Sequence, residues 1–205
     1  MTELTQTRRG FIALAGGSLG GAALLSACGD SSSANAETSE FGSGDEGILN
    51  YLLTLEYTMA DFYKKLETSN LFSEAERKAL GKFGIQEEEH VEALARQLKK
   101  IEGKPVAKPQ TKFSLDTGPG TLEIAEKLES GMAGAYLGQL PNVEGESLRQ
   151  KLAEIHTVEG RHSAAIAYIQ QKPVTPDGAF AKPLNVDAVM VKFKPFLGSS
   201  SGTST

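Results

Sequence analysis

The chain has 205 residues, a formal charge of −5 and no tryptophan. That length leaves room for one ordinary domain once flanking segments are discounted. The mild acidic balance gives no support for a protein that grips nucleic acid through a basic face.

The N-terminal stretch reads as a targeting segment. Thr7-Arg8-Arg9-Gly10-Phe11-Ile12 resembles a twin-arginine export motif. The apolar run from Phe11 to Ala27 is short and diluted by glycines, too weak for a membrane span. It ends at Leu25-Ser26-Ala27-Cys28, which resembles a bacterial lipobox, and Cys28 is the only cysteine in the chain. That resemblance implies cleavage of residues 1–27 and lipid attachment to Cys28; a plain signal peptide with an incidental cysteine is the alternative. Residues 28–44 carry the candidate lipidated cysteine and a stretch rich in Ser, Ala, Gly and acidic residues, a flexible tether.

Helical periodicity begins at residue 45 and predicts four helices up to residue 172. The first covers about 45–68, with Asp45 and Glu46 suited to its first turn. The second opens on Ser73-Glu74-Ala75-Glu76, which fits a capping box, and ends at Gly103 and Pro105. Residues 104–120 hold three prolines and little periodicity, too long for a hairpin and suited to a crossover along a bundle. The third helix is expected over 121–140 and the fourth over 146–171, each closed by a following proline. In the tail, 173–205, Asn185 is placed to cap a short helix reaching Phe193 that packs outside the bundle.

Two echoes organise this pattern. Leu55-Glu56-Tyr57-Thr58-Met59-Ala60-Asp61-Phe62-Tyr63 returns 73 residues later as Leu128-Glu129-Ser130-Gly131-Met132-Ala133-Gly134-Ala135-Tyr136. Leu52, Glu56, Met59 and Tyr63 share one helix stripe, as do Ala125, Glu129, Met132 and Tyr136. A carboxylate inside an apolar stripe must be paired or bound. The second echo supplies partners: Glu87-Glu88-Glu89-His90 and Glu159-Gly160-Arg161-His162, 72 residues apart, are both Glu-x-x-His. Positions i and i+3 lie on one helix face, so each pair reaches one point. The chain thus holds two copies of a unit: one helix with a lone inward Glu, then one with Glu-x-x-His. Facing each other, they gather four carboxylates and two imidazoles, a set whose charge two divalent ions would balance.

Those six positions, Glu56, Glu87, His90, Glu129, Glu159 and His162, resemble the ligand set of the ferritin-like superfamily of di-iron and di-manganese bundles. The resemblance covers about residues 45–172. It implies an all-α four-helix bundle with a long crossover between helices 2 and 3, followed by an irregular tail with a short helix. It also implies two iron or manganese ions, with Glu87 and Glu159 bridging, Glu56 and His90 completing one ion, and Glu129 and His162 the other. The tail Gly178-Ala179-Phe180-Ala181-Lys182-Pro183-Leu184, together with the export signal, resembles the branch that includes bacterial desiccation-related proteins more than it does cage-forming ferritins.

Three further residues are candidates for supporting the ligands. His156 lies one turn before Glu159 and could be a seventh ligand or a partner to one, but it is matched by Gly84 in the first half, and a partly buried His with no such role is the simpler reading. Tyr63 and Tyr136 could hydrogen-bond a ligand or relay an electron; ordinary core tyrosines with satisfied hydroxyls are the simpler reading.

The functional expectation is a redox metalloprotein anchored on the extracytoplasmic face of a bacterial membrane. Its expected chemistry is ferroxidase-like metal oxidation or peroxide removal under stress, with dioxygen or peroxide as substrate. The expected macromolecular partners are the membrane, through the lipid, and a second copy in a homodimer; nucleic acid is not one. A rival is a non-catalytic envelope lipoprotein whose metal site only staples the bundle. An iron-storage cage is disfavoured, because a lipid tether suits a membrane surface better than a closed shell.

Overall fold

The computed structural model describes residues 38–198. The twin-arginine motif, Cys28 and the extreme C-terminus lie outside the described residues. The rest is all-α: α1 (Gly44–Glu67), α2 (Glu74–Lys100), α3 (Gly118–Gln139), α4 (Glu146–Ile169) and a short α5 (Val186–Phe193). Helices α1 and α2 form one antiparallel pair and α3 and α4 the other; the pairs face each other as a four-helix bundle. Among the described residues no helix is long and apolar enough to cross a membrane.

The predicted stripes are the buried ones. Leu52, Met59 and Tyr63 of α1 and Ala125, Met132 and Tyr136 of α3 are in the core, with Leu80 and Leu94 of α2 and Leu148, Leu152, Ile155 and Ile166 of α4. Local chemistry sets the helix ends. Ser73 caps α2: its hydroxyl accepts from the Glu76 N–H, and the Glu76 carboxylate accepts from the Ser73 N–H at 2.8 Å, a full capping box. Asn185 caps α5 through Oδ1, which accepts from the Ala188 N–H at 2.9 Å.

One boundary differs from the expectation, and one helix end is turned by a residue other than its glycine. Helix α3 starts at Gly118, not near Thr121, because the Thr117 hydroxyl accepts from the Gly120 N–H and Pro119 occupies the first turn, where its missing N–H costs nothing. Gly-Pro-Gly reads as a loop, yet the cap before it makes it a helix start. Helix α2 does not end on a left-handed glycine. The left-handed residue is Glu102, φ 57°, and the Gly103 N–H closes the turn on the Leu98 carbonyl at 2.9 Å. Helix α4 ends the same way on Gln171, φ 56°, with the Lys172 N–H on the Ala167 carbonyl.

The two helices carrying a lone Glu are each covered on their outer side by an extended segment. The crossover lies along α1. The Asn50 side-chain amide donates to the Lys104 carbonyl at 3.0 Å while its oxygen accepts from the Val106 N–H at 2.8 Å. Further along, Asp61 receives Lys108 and Thr111, and Lys65 donates to the Phe113 carbonyl. The tail covers α3, where Gly131, Gly134 and Gly138 recur at helical spacing. A Cβ at Gly138 would sit 2.1 Å from the Leu184 carbonyl oxygen, and one at Gly134 would meet the Leu184 side chain at 2.6 Å. These glycines weaken α3 as a helix. In exchange the tail approaches closely enough for the Leu184 N–H to reach the Gly134 carbonyl at 2.9 Å. Past α5 the tail meets the crossover in one antiparallel bridge, Thr111 with Leu197. With both covers in place, α1 and α3 are shielded on more than one face, and their carboxylates are remote from water.

Candidate metal centre

All six positions singled out by the repeats converge in the bundle core. Glu56, Glu87, Glu129 and Glu159 are 0% exposed, His162 2% and His90 7%. They form two overlapping groups, Glu56, Glu87, His90 and Glu159, and Glu87, Glu129, Glu159 and His162. Within each group the potential ligand atoms lie within 4.8 Å of one another. Glu87 and Glu159 belong to both.

The hydrogen bonding sorts the oxygens. The Tyr136 hydroxyl donates to Glu56 Oε1, and the Tyr63 hydroxyl donates to Glu129 Oε1. Each tyrosine therefore serves the carboxylate of the other half. The second oxygens, Glu56 Oε2 and Glu129 Oε2, have no hydrogen-bond partner. Each lies 3.6 Å from an imidazole Nδ1, that of His90 and His162 respectively. Glu87 Oε1, both Glu159 oxygens and His162 Nδ1 are also buried without a hydrogen-bond partner. His90 Nδ1 is 2.9 Å from Glu159 Oε1, out of line for a hydrogen bond, and 3.3 Å from Glu87 Oε2, which it does engage.

Orphaned buried oxygens normally cost stability. Here they face one another, which is the arrangement a pair of cations would satisfy. His162 makes the point most directly. Its Nε2 lies 2.7 Å from Gln86 Oε1, an atom that only accepts, so Nε2 carries a proton, and in the neutral ring Nδ1 presents a lone pair. That lone pair points at Glu87 Oε1, 2.9 Å away. Two lone pairs at that distance repel unless a proton or a metal cation lies between them. The donor set is oxygen-rich with two imidazoles and no thiolate, which suits divalent metal ions bound through carboxylates.

The ionisation balance agrees. Burial pushes the Glu87 carboxyl well up, with Glu129 adding to the rise; burial likewise raises Glu159, helped by Glu87 and Glu56. Burial alone would depress His90, but Glu159, Glu56 and Glu87 outweigh it and the imidazole is raised. Without a cation the cluster therefore retains protons at neutral pH. Four carboxylates beside two divalent ions would be close to neutral, the tolerable state for a dry core.

The tyrosines are core residues with satisfied hydroxyls, and their partners are two of the clustered carboxylates. Burial raises the phenols of Tyr63 and Tyr136 well above their ordinary value, so they stay neutral donors to the carboxylates. His156 does not join the cluster. Its Nδ1 lies 3.0 Å from the Ala133 backbone carbonyl, tying α4 to α3. Its repeat counterpart, Gly84, instead lets α2 approach α1: a Cβ there would come within 2.9 Å of the Tyr63 Cβ. A surface cavity of about 150 Å³ beside this contact is lined by Tyr63, Lys64, Glu67, Gly84, Ile85 and Glu88. Two residues that the sequence did not mark also belong here, Gln86 and Phe83, whose ring stacks on His162 at 4.3 Å and 19°. Phe83 is visible in the sequence only as an inner-face residue, and Gln86 only as a polar residue beside Glu87.

No curated protein matches the chain. Residues 44–172 match the family described as the ferritin-like domain, over the four helices that carry all six converging side chains. A four-helix bundle with paired, buried Glu and Glu-x-x-His positions, matched over most of its length, places the chain in the ferritin-like family.

Proposed function

We propose that this chain is an exported, membrane-anchored protein that holds two iron or manganese ions and uses them in metal oxidation or peroxide removal. The observation that carries the reading is the pair of overlapping buried groups sharing Glu87 and Glu159. Bound there, two neighbouring ions would supply two-electron exchange with dioxygen or peroxide.

The chain's own residues have distinct parts in this proposal. Glu87 and Glu159 would touch both ions. Glu56 with His90 would complete one position, and Glu129 with His162 the other. Tyr136 and Tyr63 hold the outer oxygens of Glu56 and Glu129, leaving the inner oxygens open to the centre. The apolar shell of Leu52, Met59, Met132 and Ile155 keeps bulk water away. Arg8, Arg9 and the Leu25–Cys28 segment support export and lipid attachment. The same motif supports a location on the extracytoplasmic face.

The test is elemental analysis of the full-length chain in detergent after expression with iron and manganese supplied. Ferrous-ion and peroxide turnover assays follow. Two ions per chain with turnover is the expected result. No bound metal overturns the proposal. Bound metal without turnover replaces it with a structural staple in an envelope lipoprotein.

A further inference from the structure

The two halves of the bundle do not support their imidazoles alike. His162 is held twice: Phe83 stacks on its ring at 4.3 Å, and Gln86 Oε1 accepts from its Nε2–H at 2.7 Å. The matching positions one repeat later, 72 residues on, are Ile155 and Val158. Neither offers an aromatic face or a hydrogen-bond acceptor on its side chain. Correspondingly, His90 has no hydrogen bond at Nε2 among the described residues and no aromatic ring stacked on it; its nearest ring, that of His162, is 6.5 Å away and tilted by 30°. The terminal carboxylates, by contrast, are treated equally, each with one tyrosine. The asymmetry therefore lies in the imidazoles.

We propose that the two metal positions are unequal by construction: the Glu129–His162 position is the tighter and fills first, and Gln86 is the positioning residue that makes it so. This rests on the dinuclear reading above. The reason is preorganisation. An imidazole can ligate through Nδ1 only with its proton on Nε2 and its ring turned correctly. Gln86 fixes the tautomer and Phe83 the ring plane before any ion arrives. The His90 ring is held only through Nδ1, so nothing on its outer side fixes its tautomer before its ion binds, and fixing it then reduces affinity. Gln86 is itself exposed, so it can be replaced without opening the core.

The experiment is calorimetric titration of the chelated, full-length chain in detergent with Mn²⁺ under anaerobic conditions. The parent should bind in two steps at least about tenfold apart. Glu129→Ala should lose the tighter step and Glu56→Ala the weaker. Gln86→Leu should weaken the tighter step by about 10–100-fold, the usual effect of removing a ligand's outer hydrogen-bond partner. Gln86→Glu keeps an acceptor and should restore it. Imidazole ¹⁵N shifts of the metal-free chain supply a readout that packing alone would not move: His162 should be Nε2-protonated in the parent and a tautomer mixture in Gln86→Leu. Two equal steps in the parent, or parent-like binding by Gln86→Leu, overturn the inequality but leave a dinuclear site standing. Weakened binding with an unchanged His162 tautomer overturns the role given to Gln86. No Mn²⁺ bound by the parent, after folding is verified by circular dichroism, overturns the dinuclear reading itself.

Discussion

Stripping the metal should invert the usual response of stability to acid. In the metal-free fold, burial raises the carboxyls of Glu87 and Glu159 above their unfolded values, and the surrounding carboxylates raise His90 despite its burial. An acid whose folded pKa is raised binds more protons folded than unfolded between its unfolded and folded values. Stability therefore falls as pH rises above about 4.3 toward the folded pKa. For His90 the added stability is complete below about 6.5 and is lost progressively as pH rises from there through its raised folded value. Both contributions have the same sign. If the cluster as a whole retains one proton more than the unfolded chain, the slope is about −1.4 kcal/mol per pH unit. From pH 5 to 7 that amounts to roughly 2.8 kcal/mol, or about 6–11 °C in melting temperature for a domain of this size. Ordinary surface carboxylates are ionised in both states across that window and contribute little slope. The assay is thermal denaturation of chelated protein by circular dichroism at half-unit pH steps, beside the same protein with Mn²⁺ or Fe²⁺. The metal-loaded curve should rise with pH, because ligands must shed protons to bind. Glu87→Gln with Glu159→Gln should flatten the metal-free curve. A metal-free melting temperature that is level or rises from pH 5 to 7 would refute the charge balance drawn for the core.

Glu159→Ala should empty or scramble both metal positions, whereas Glu56→Ala should retain roughly one ion per chain by elemental analysis; equal losses would show that no residue bridges. Gly138→Ala drives a Cβ to 2.1 Å from the Leu184 oxygen and should cost about 1–3 kcal/mol by loosening the tail. Gly160→Ala meets nothing within 4 Å and should gain about 0.5–1 kcal/mol from helix propensity; urea melts compare the two. Glu102→Gly, at a left-handed position, should stabilise by about 1 kcal/mol, and a loss in the same melts would contradict the α2 terminus. Cys28→Ala should release the protein from membranes in fractionation, and replacing Arg8 and Arg9 with Lys should block export; retention or continued export would set those motifs aside.

What the amino-acid sequence determined by itself is whatever repeats along one helix. Glu56, Met59 and Tyr63, or Glu159 and His162, share a face because 3.6 residues make a turn, and that holds before any helix meets another. The Ser73–Glu76 capping box is equally local and equally legible. The start of α3 was misread because the cap, Thr117, precedes a Gly-Pro-Gly that reads as a loop when only its own residues are weighed. What only the tertiary structure decided depends on how one helix is turned and shifted against the next. Tyr63 could have bonded a backbone carbonyl; the relative placement of α1 and α3 aims it at Glu129. Gln86 sits on an exposed arc of α2, and nothing in its own helix ties it to His162, 76 residues away. The glycines of α3 look like flaws in a helix until the tail is seen lying against them. Periodicity specifies which side chains turn inward; the register between helices decides which of them touch.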